Sequence, residues 1–192
     1  MKELISVKKW TRMDDAQKIA FLQGIEDQEA QRAGRASFEV KGKFLYTSSD
    51  GIVLGTCNTK EQAIYINDSQ FYSESLYGKN PEKIIKRCLH ESRHATQYRA
   101  VNGLASNLTE EVKEWKDNFR NYIKFSENPR AYHNQPVEAD ARSYAETRYR
   151  ELSEGICYEN AKNIFESQMD SNNESNKNHV EVSKKLCHGN KM

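Results

Sequence analysis

Apolar positions recur at helical spacing between about residues 11 and 34. Ala16, Ile19, Ala20, Leu22, Ile25 and Ala30 share a face, Phe21 flanks them, and Gly34 supplies a stop. Gly24 inside this stretch lowers its helix propensity. From Ala36 the pattern changes to short runs rich in β-branched and aromatic residues, at 38–40, 43–47, 52–56 and 63–66. Turn signals separate them at Lys41-Gly42, Ser48-Ser49-Asp50-Gly51 and Asn58-Thr59-Lys60, with Asp50-Gly51 suited to a hairpin. The expectation is a small, mainly antiparallel sheet of three or four strands.

A polar loop follows, and Asn80-Pro81 then opens a helix, with Asn as N-cap and Pro at the first helical position. This helix is predicted over about 81–101, ending near Gly103, with Ile84, Ile85, Cys88 and Leu89 on its apolar side. Residues 107–125 carry a third helical pattern, with Asn107 and Glu110 as a capping-box pair. Its stripe of Val112, Trp115, Phe119, Tyr122 and Ile123 reads as core. Residues 126–130 break this helix, 131–136 form a polar turn, and Pro136 starts another helix containing residues 137–146. Ala139, Ala141 and Ala145 on it leave room for a close neighbour. A last helix is predicted over 158–169, and the polar run from residue 170 to 192 is expected to be disordered. The chain therefore reads as one α+β domain over 1–169 with a tail.

Composition narrows the partners. The formal net charge of +1 gives no overall attraction to nucleic acid or to an anionic membrane. No apolar run nears the ~20 residues that span a bilayer. The first residues, Met1 to Lys9, lack the apolar core of a secretory signal, so the expectation is a protein made in the cytoplasm. Export would need a route without a cleaved signal. Cys57, Cys88, Cys157 and Cys187 form no paired spacing and point to reduced thiols.

The chemistry concentrates at Cys88-Leu89-His90-Glu91-Ser92-Arg93-His94, an H-E-x-x-H run inside the helix predicted over 81–101. Residues four apart share a helix face, so both imidazoles can reach one metal ion. Glu91 lies roughly 100° round from His90, beside the ligands and not among them. Two neutral nitrogen ligands with a carboxylate base beside an open coordination position are what a zinc hydrolase needs. A third histidine in the metzincin pattern is ruled out, because His94 is followed by Ala95-Thr96-Gln97-Tyr98-Arg99-Ala100. A carboxylate from the helix after Pro136 is the alternative, and Glu138 and Asp140 are the candidates, with His133 behind them. Two positions on a helix span roughly 200°, so Glu138 and Asp140 cannot both face one metal.

H-E-S-R-H-A-T-Q followed by Q-P-V-E-A-D-A-R-S-Y-A resembles the gluzincin side of the zincin peptidases. More narrowly, it is similar to small metallopeptidase domains of phages, mobile elements and bacterial toxins, over about residues 63–146. The resemblance implies a zincin-like fold with the metal motif on a central helix and a sheet edge holding substrate beside it. It implies Zn2+ held by His90, His94 and a glutamate on the second helix, which falls at Glu138. Arg142 departs from the thermolysin-like pattern, which has an acidic residue there to buttress a ligand histidine.

The expected activity is hydrolysis of a protein or peptide substrate with Glu91 as base. Tyr132, His133, Arg142 and Tyr144 are the candidate donors to the oxyanion, with Tyr132 and Tyr144 preferred. A zinc module without catalysis and a metal-free interaction factor are the competing functions.

Overall fold

The computed structural model describes residues 4–47, 51–71, 80–103 and 109–155. A short helix precedes the first predicted one, which itself starts later than expected. A single turn, α1 (Val7–Trp10), is capped by Ser6. Asp14 then caps α2 (Asp15–Arg32) in a reciprocal capping box with Gln17. The box explains why the helix starts at residue 15 and not at 11. Its C-terminus is the expected one: Gly34 takes a φ of 61° while Arg35 N donates to Ala30 O and Gly34 N to Gln31 O.

Strand β1 (Glu39–Gly42) follows, then β2 (Tyr46–Thr47), β3 (Gly51–Ile52), β4 (Gly55–Asn58) and β5 (Ala63–Ile66). The sheet is mixed, which corrects the mainly antiparallel expectation. Its order is β1-β5-β4, with β1 parallel to β5 and β4 antiparallel to it. Strands β2 and β3 form a separate antiparallel hairpin. The run at 52–56 is thus split between hairpin and sheet. Asn67 secures the split, its side-chain amide donating to Leu45 O at 2.9 Å and Val53 O at 2.7 Å. The hairpin and β4 lie between β1 and β5 in the chain, so β5 can return beside β1 in the same direction while β4 takes the outer edge.

Helix α3 (Pro81–Asn102) starts where predicted, with Asn80 accepting from Lys83 N. Helix α4 (Glu110–Arg120) is shorter than expected, capped by Thr109 and stopped at Asn121; Asn107 lies outside the described residues. The predicted turn at 131–136 contains a short helix, α5 (Pro129–Asn134), capped by Asn128. Helix α6 (Pro136–Ser153) begins at the predicted proline. The predicted helix at 158–169 and the tail from residue 170 lie outside the described residues. The fold is α+β, with six helices and a three-stranded mixed sheet among the described residues.

Leu22 and Ile25 of α2, Ile64 and Ile66 of β5, and Ile84, Ile85 and Leu89 of α3 form the main core. Helix α3 is therefore central, packed against α2, the sheet and α6. Ala141 and Ala145 allow α6 to lie close, both being buried. Two buried ion pairs fix the frame. Arg35 grips Glu26 with two nitrogens at 2.6 and 2.9 Å and donates to Ser92 O and Oγ on α3. Arg148 of α6 does the same to Glu29 of α2. No helix among the described residues is long and apolar enough to cross a membrane.

Candidate metal centre

His90 and His94 stand one turn apart on the buried side of α3, as their spacing requires. Glu138 comes from the first turn of α6 and is 2% exposed. The three converge: His90 Nε2 and His94 Nε2 are 3.0 Å apart. Glu138 Oε2 lies 3.2 Å from His90 Nε2, and its Oε1 3.4 Å from His94 Nε2. Atoms bound to one zinc in a tetrahedron at ~2.0–2.1 Å stand roughly 3.3 Å from one another. Two nitrogens and a carboxylate at this spacing fit a small divalent cation.

The tautomer of His94 can be derived from its neighbours. Gln97 is fully buried. One end of its side-chain amide faces Val137 O at 3.0 Å and Asp140 Oδ2 at 2.6 Å. Both are acceptors, so that end is the NH2 group, and the carbonyl Oε1 faces His94 Nδ1 at 2.8 Å. Nδ1 must then carry the hydrogen, which leaves the Nε2 lone pair directed at the cluster. Asp140 is thereby placed behind the centre. Arg93 also holds it, through Nε at 2.8 Å and Nη2 at 3.0 Å. It is Glu138 that reaches the histidines, while Asp140 steadies the residue that orients one of them.

Glu138 is fixed from the other side by Tyr122, whose hydroxyl donates to Oε1 at 2.6 Å. This residue was expected in the apolar stripe of a helix reaching 125. Because α4 stops at Asn121, Tyr122 leaves the stripe and turns inward. Gln135 holds that connector, accepting from Ile123 N at 3.1 Å and donating to Ile123 O at 2.9 Å. Asn118 completes the clamp by accepting from Val137 N at the start of α6. The sequence marked Gln97 and Tyr122 only weakly: one lies a turn past His94, and the other is a hydroxyl hidden in a hydrophobic period.

Tyr132 lines clefts on both sides of the cluster together with Glu138. Its ring meets that of Tyr122 edge-on. Tyr144 is a correction. Its hydroxyl donates to Glu29 in the Arg148 ion pair, and its ring lies under the Arg93 guanidinium. That arrangement holds α6 to α2 and leaves Tyr144 no part at the cluster. His133 packs its ring on Phe125 and Tyr132, and Arg142 donates to the His133 carbonyl; neither joins the ligand set.

Glu91 is 4% exposed and faces β4, where a Cβ on Gly55 would stand 3.1 Å from Oε1. Only glycine lets the strand approach this closely. One cleft of about 470 Å³ joins Glu91, His94 and Glu138 to Gly55, Thr56 and Cys57 of the strand.

The charges are strongly coupled. Burial would raise the Glu138 carboxyl, but hydrogen bonds from His90, His94 and Tyr122 override it and hold the group far below the usual carboxylate range. Burial would lower the His94 pKa, yet the Glu138 hydrogen bond and the Glu91 charge raise it. Burial followed by the charge of Glu138 pushes both Tyr122 and Tyr132 well above the usual phenol range, so both remain proton donors. No known protein family, curated protein or solved structure matches the chain.

Proposed function

We propose that this chain is a zinc-dependent peptidase of the zincin type, with His90, His94 and Glu138 as metal ligands and Glu91 as general base. The observation that carries the reading is the buried His90–His94–Glu138 cluster with Glu91 set between it and the outer strand of the sheet. Zinc held there supplies a Lewis acid for a peptide carbonyl and makes water easier to deprotonate.

The residues of the chain account for the remaining work. Strand β4 pairs only with β5 among the described strands, so its other edge can take an extended peptide by strand addition. A peptide laid there passes Gly55 and meets Glu91 next. Glu91 takes a proton from the attacking water and returns it to the leaving nitrogen. Tyr132, which lines both clefts, would stabilise charge on the carbonyl oxygen through its hydroxyl. Tyr122 and Gln97 hold Glu138 and His94 in position.

The test is metal content and hydrolysis measured together. The purified protein should carry about one zinc per chain and cleave an unstructured protein substrate. Glu91→Gln should keep the zinc and lose at least ~100-fold in turnover, in line with general-base contributions. Full turnover by that variant, or no zinc in the wild type, would overturn the reading.

A further inference from the structure

Among the buried and half-buried guanidiniums, Arg35 is matched to Glu26, Arg93 to Asp140 and Arg148 to Glu29. Arg142 has no carboxylate and donates to the His133 carbonyl instead, while Arg87 has neither kind of partner among the described residues. It lies on α3 one turn before Glu91, and its Cγ and Cδ run over Gly55, within 2.9 and 2.8 Å of where a Cβ would stand. Its Nε is buried with no hydrogen-bond partner, and no carboxylate among the described residues forms an ion pair with it. A desolvated donor left unsatisfied is destabilising. A bound acceptor would remove that cost.

The surroundings say which acceptor. Arg87 lines a cleft of about 620 Å³ that reaches His90 and Glu138 and also includes Lys83, Lys86 and Arg142. Its two carboxylates are already engaged, Glu138 with the histidines and Glu146 with Lys86 at 2.5 Å. The cleft on the other side of the cluster has no lysine or arginine, and Tyr98, Phe119 and Tyr122 line it instead. Positive charge is thus confined to one side of the candidate scissile position. Leu54 borders the charged cleft, while its neighbours Val53 and Gly55 border the other, as the alternation of side chains across the two faces of an extended segment requires. Tyr132 and Glu138 line both clefts, so the two meet at the metal cluster.

We propose that Arg87 is a specificity residue that receives a substrate carboxylate in the charged cleft beside His90 and Glu138. The carboxylate is either an acidic side chain next to the scissile bond or the free C-terminus of a short peptide. The proposal rests on the peptidase reading for what the bound peptide undergoes, but its test does not depend on hydrolysis.

Binding is measured by fluorescence anisotropy on zinc-loaded Glu91→Gln protein. The probes are labelled hexapeptides carrying Glu or Gln at one position, each with a free or amidated C-terminus. A charge-assisted pair in a partly open cleft predicts about tenfold tighter binding of the carboxylate peptide. The preference should fall to near unity in Arg87→Met and be partly kept in Arg87→Lys. Arg87→Glu should favour a Lys peptide over its Glu counterpart. A preference that survives amidation assigns the carboxylate to a side chain, and one abolished by amidation assigns it to the terminus. Thermal melting and zinc content serve as folding controls for each variant. Equal binding of Glu and Gln peptides with free C-termini equivalent to amidated ones, or a preference unchanged in Arg87→Met, overturns the proposal. Absence of turnover in the wild type would instead count against the peptidase reading alone.

Discussion

Replacing Gln97 with leucine tests whether the tautomer of His94 is set from behind the cluster. Leucine keeps most of the volume of a fully buried side chain and removes three hydrogen bonds: to His94 Nδ1 at 2.8 Å, to Val137 O at 3.0 Å and to Asp140 at 2.6 Å. Asp140 keeps its two bonds from Arg93, so the change falls mainly on His94. Loss of a partner behind a ligand histidine lowers metal affinity by about 10–100-fold, equivalent to about 1.4–2.7 kcal/mol. Zinc affinity is read by competition with a chelator of known strength, alongside the melting temperature of the metal-free protein. A purely structural role for Gln97 would lower the melting temperature and leave affinity alone. Zinc affinity within about threefold of wild type would refute the positioning argument.

Arg35→Met should destabilise the fold by about 3–5 kcal/mol, because it leaves Glu26 fully buried and without its main charge partner. The urea midpoint reports this, and a loss below about 1 kcal/mol would show that the pair does not bind α2 to α3. Zinc uptake should release protons at neutral pH, because His94 is raised above 6.5 in the metal-free protein. Stability from that raised group is complete below about pH 6.5 and fades as pH climbs through its folded value, while the lowered Glu138 contributes above about 4.5 and fades below it. Apparent zinc affinity should therefore weaken on acidification through the His94 transition; zero proton release at pH 7, by calorimetry in buffers of different ionisation heat, would contradict this.

The parts of the site visible in the sequence are those governed by local rules. His90, Glu91 and His94 obey helix periodicity, and Asn80-Pro81 and Pro136 mark helix starts by their own backbone chemistry. What the sequence concealed depends on partners far along the chain. The parallel pairing of β1 with β5 is set by where the chain returns, and the strand runs carry no record of that direction. Tyr122 kept a helical period after the helix had stopped, because Asn118 and Gln135 hold the connector by contacts that periodicity does not encode. Tyr144 failed as a candidate for the same reason: nearness in sequence to Glu138 said nothing of Glu29, which claims its hydroxyl.

The way the centre is held bears on whether its metal would be catalytic or structural. A structural zinc closes its shell with four protein ligands and supplies much of the folding energy. Here the cluster offers three ligand residues among the described residues, with no further Cys, His, Asp or Glu in the group. The helices that carry them are both tied to α2 without it, α3 through Arg35, which grips Glu26 and donates to Ser92, and α6 through the Glu29–Arg148 pair, and all share the core around Leu22, Ile64 and Leu89. Glu138 and His94 are oriented by Tyr122 and Gln97, so the donors converge before a cation arrives. Convergence without a cation is costly: the lone pairs of two imidazoles and a carboxylate face one another within 3.4 Å. Against the lowering effect of burial, the hydrogen bond with Glu138 raises the His94 pKa, so protonation there offsets part of this repulsion. Three protein ligands would leave a tetrahedral zinc one position for water or substrate, which is what the proposed hydrolysis requires.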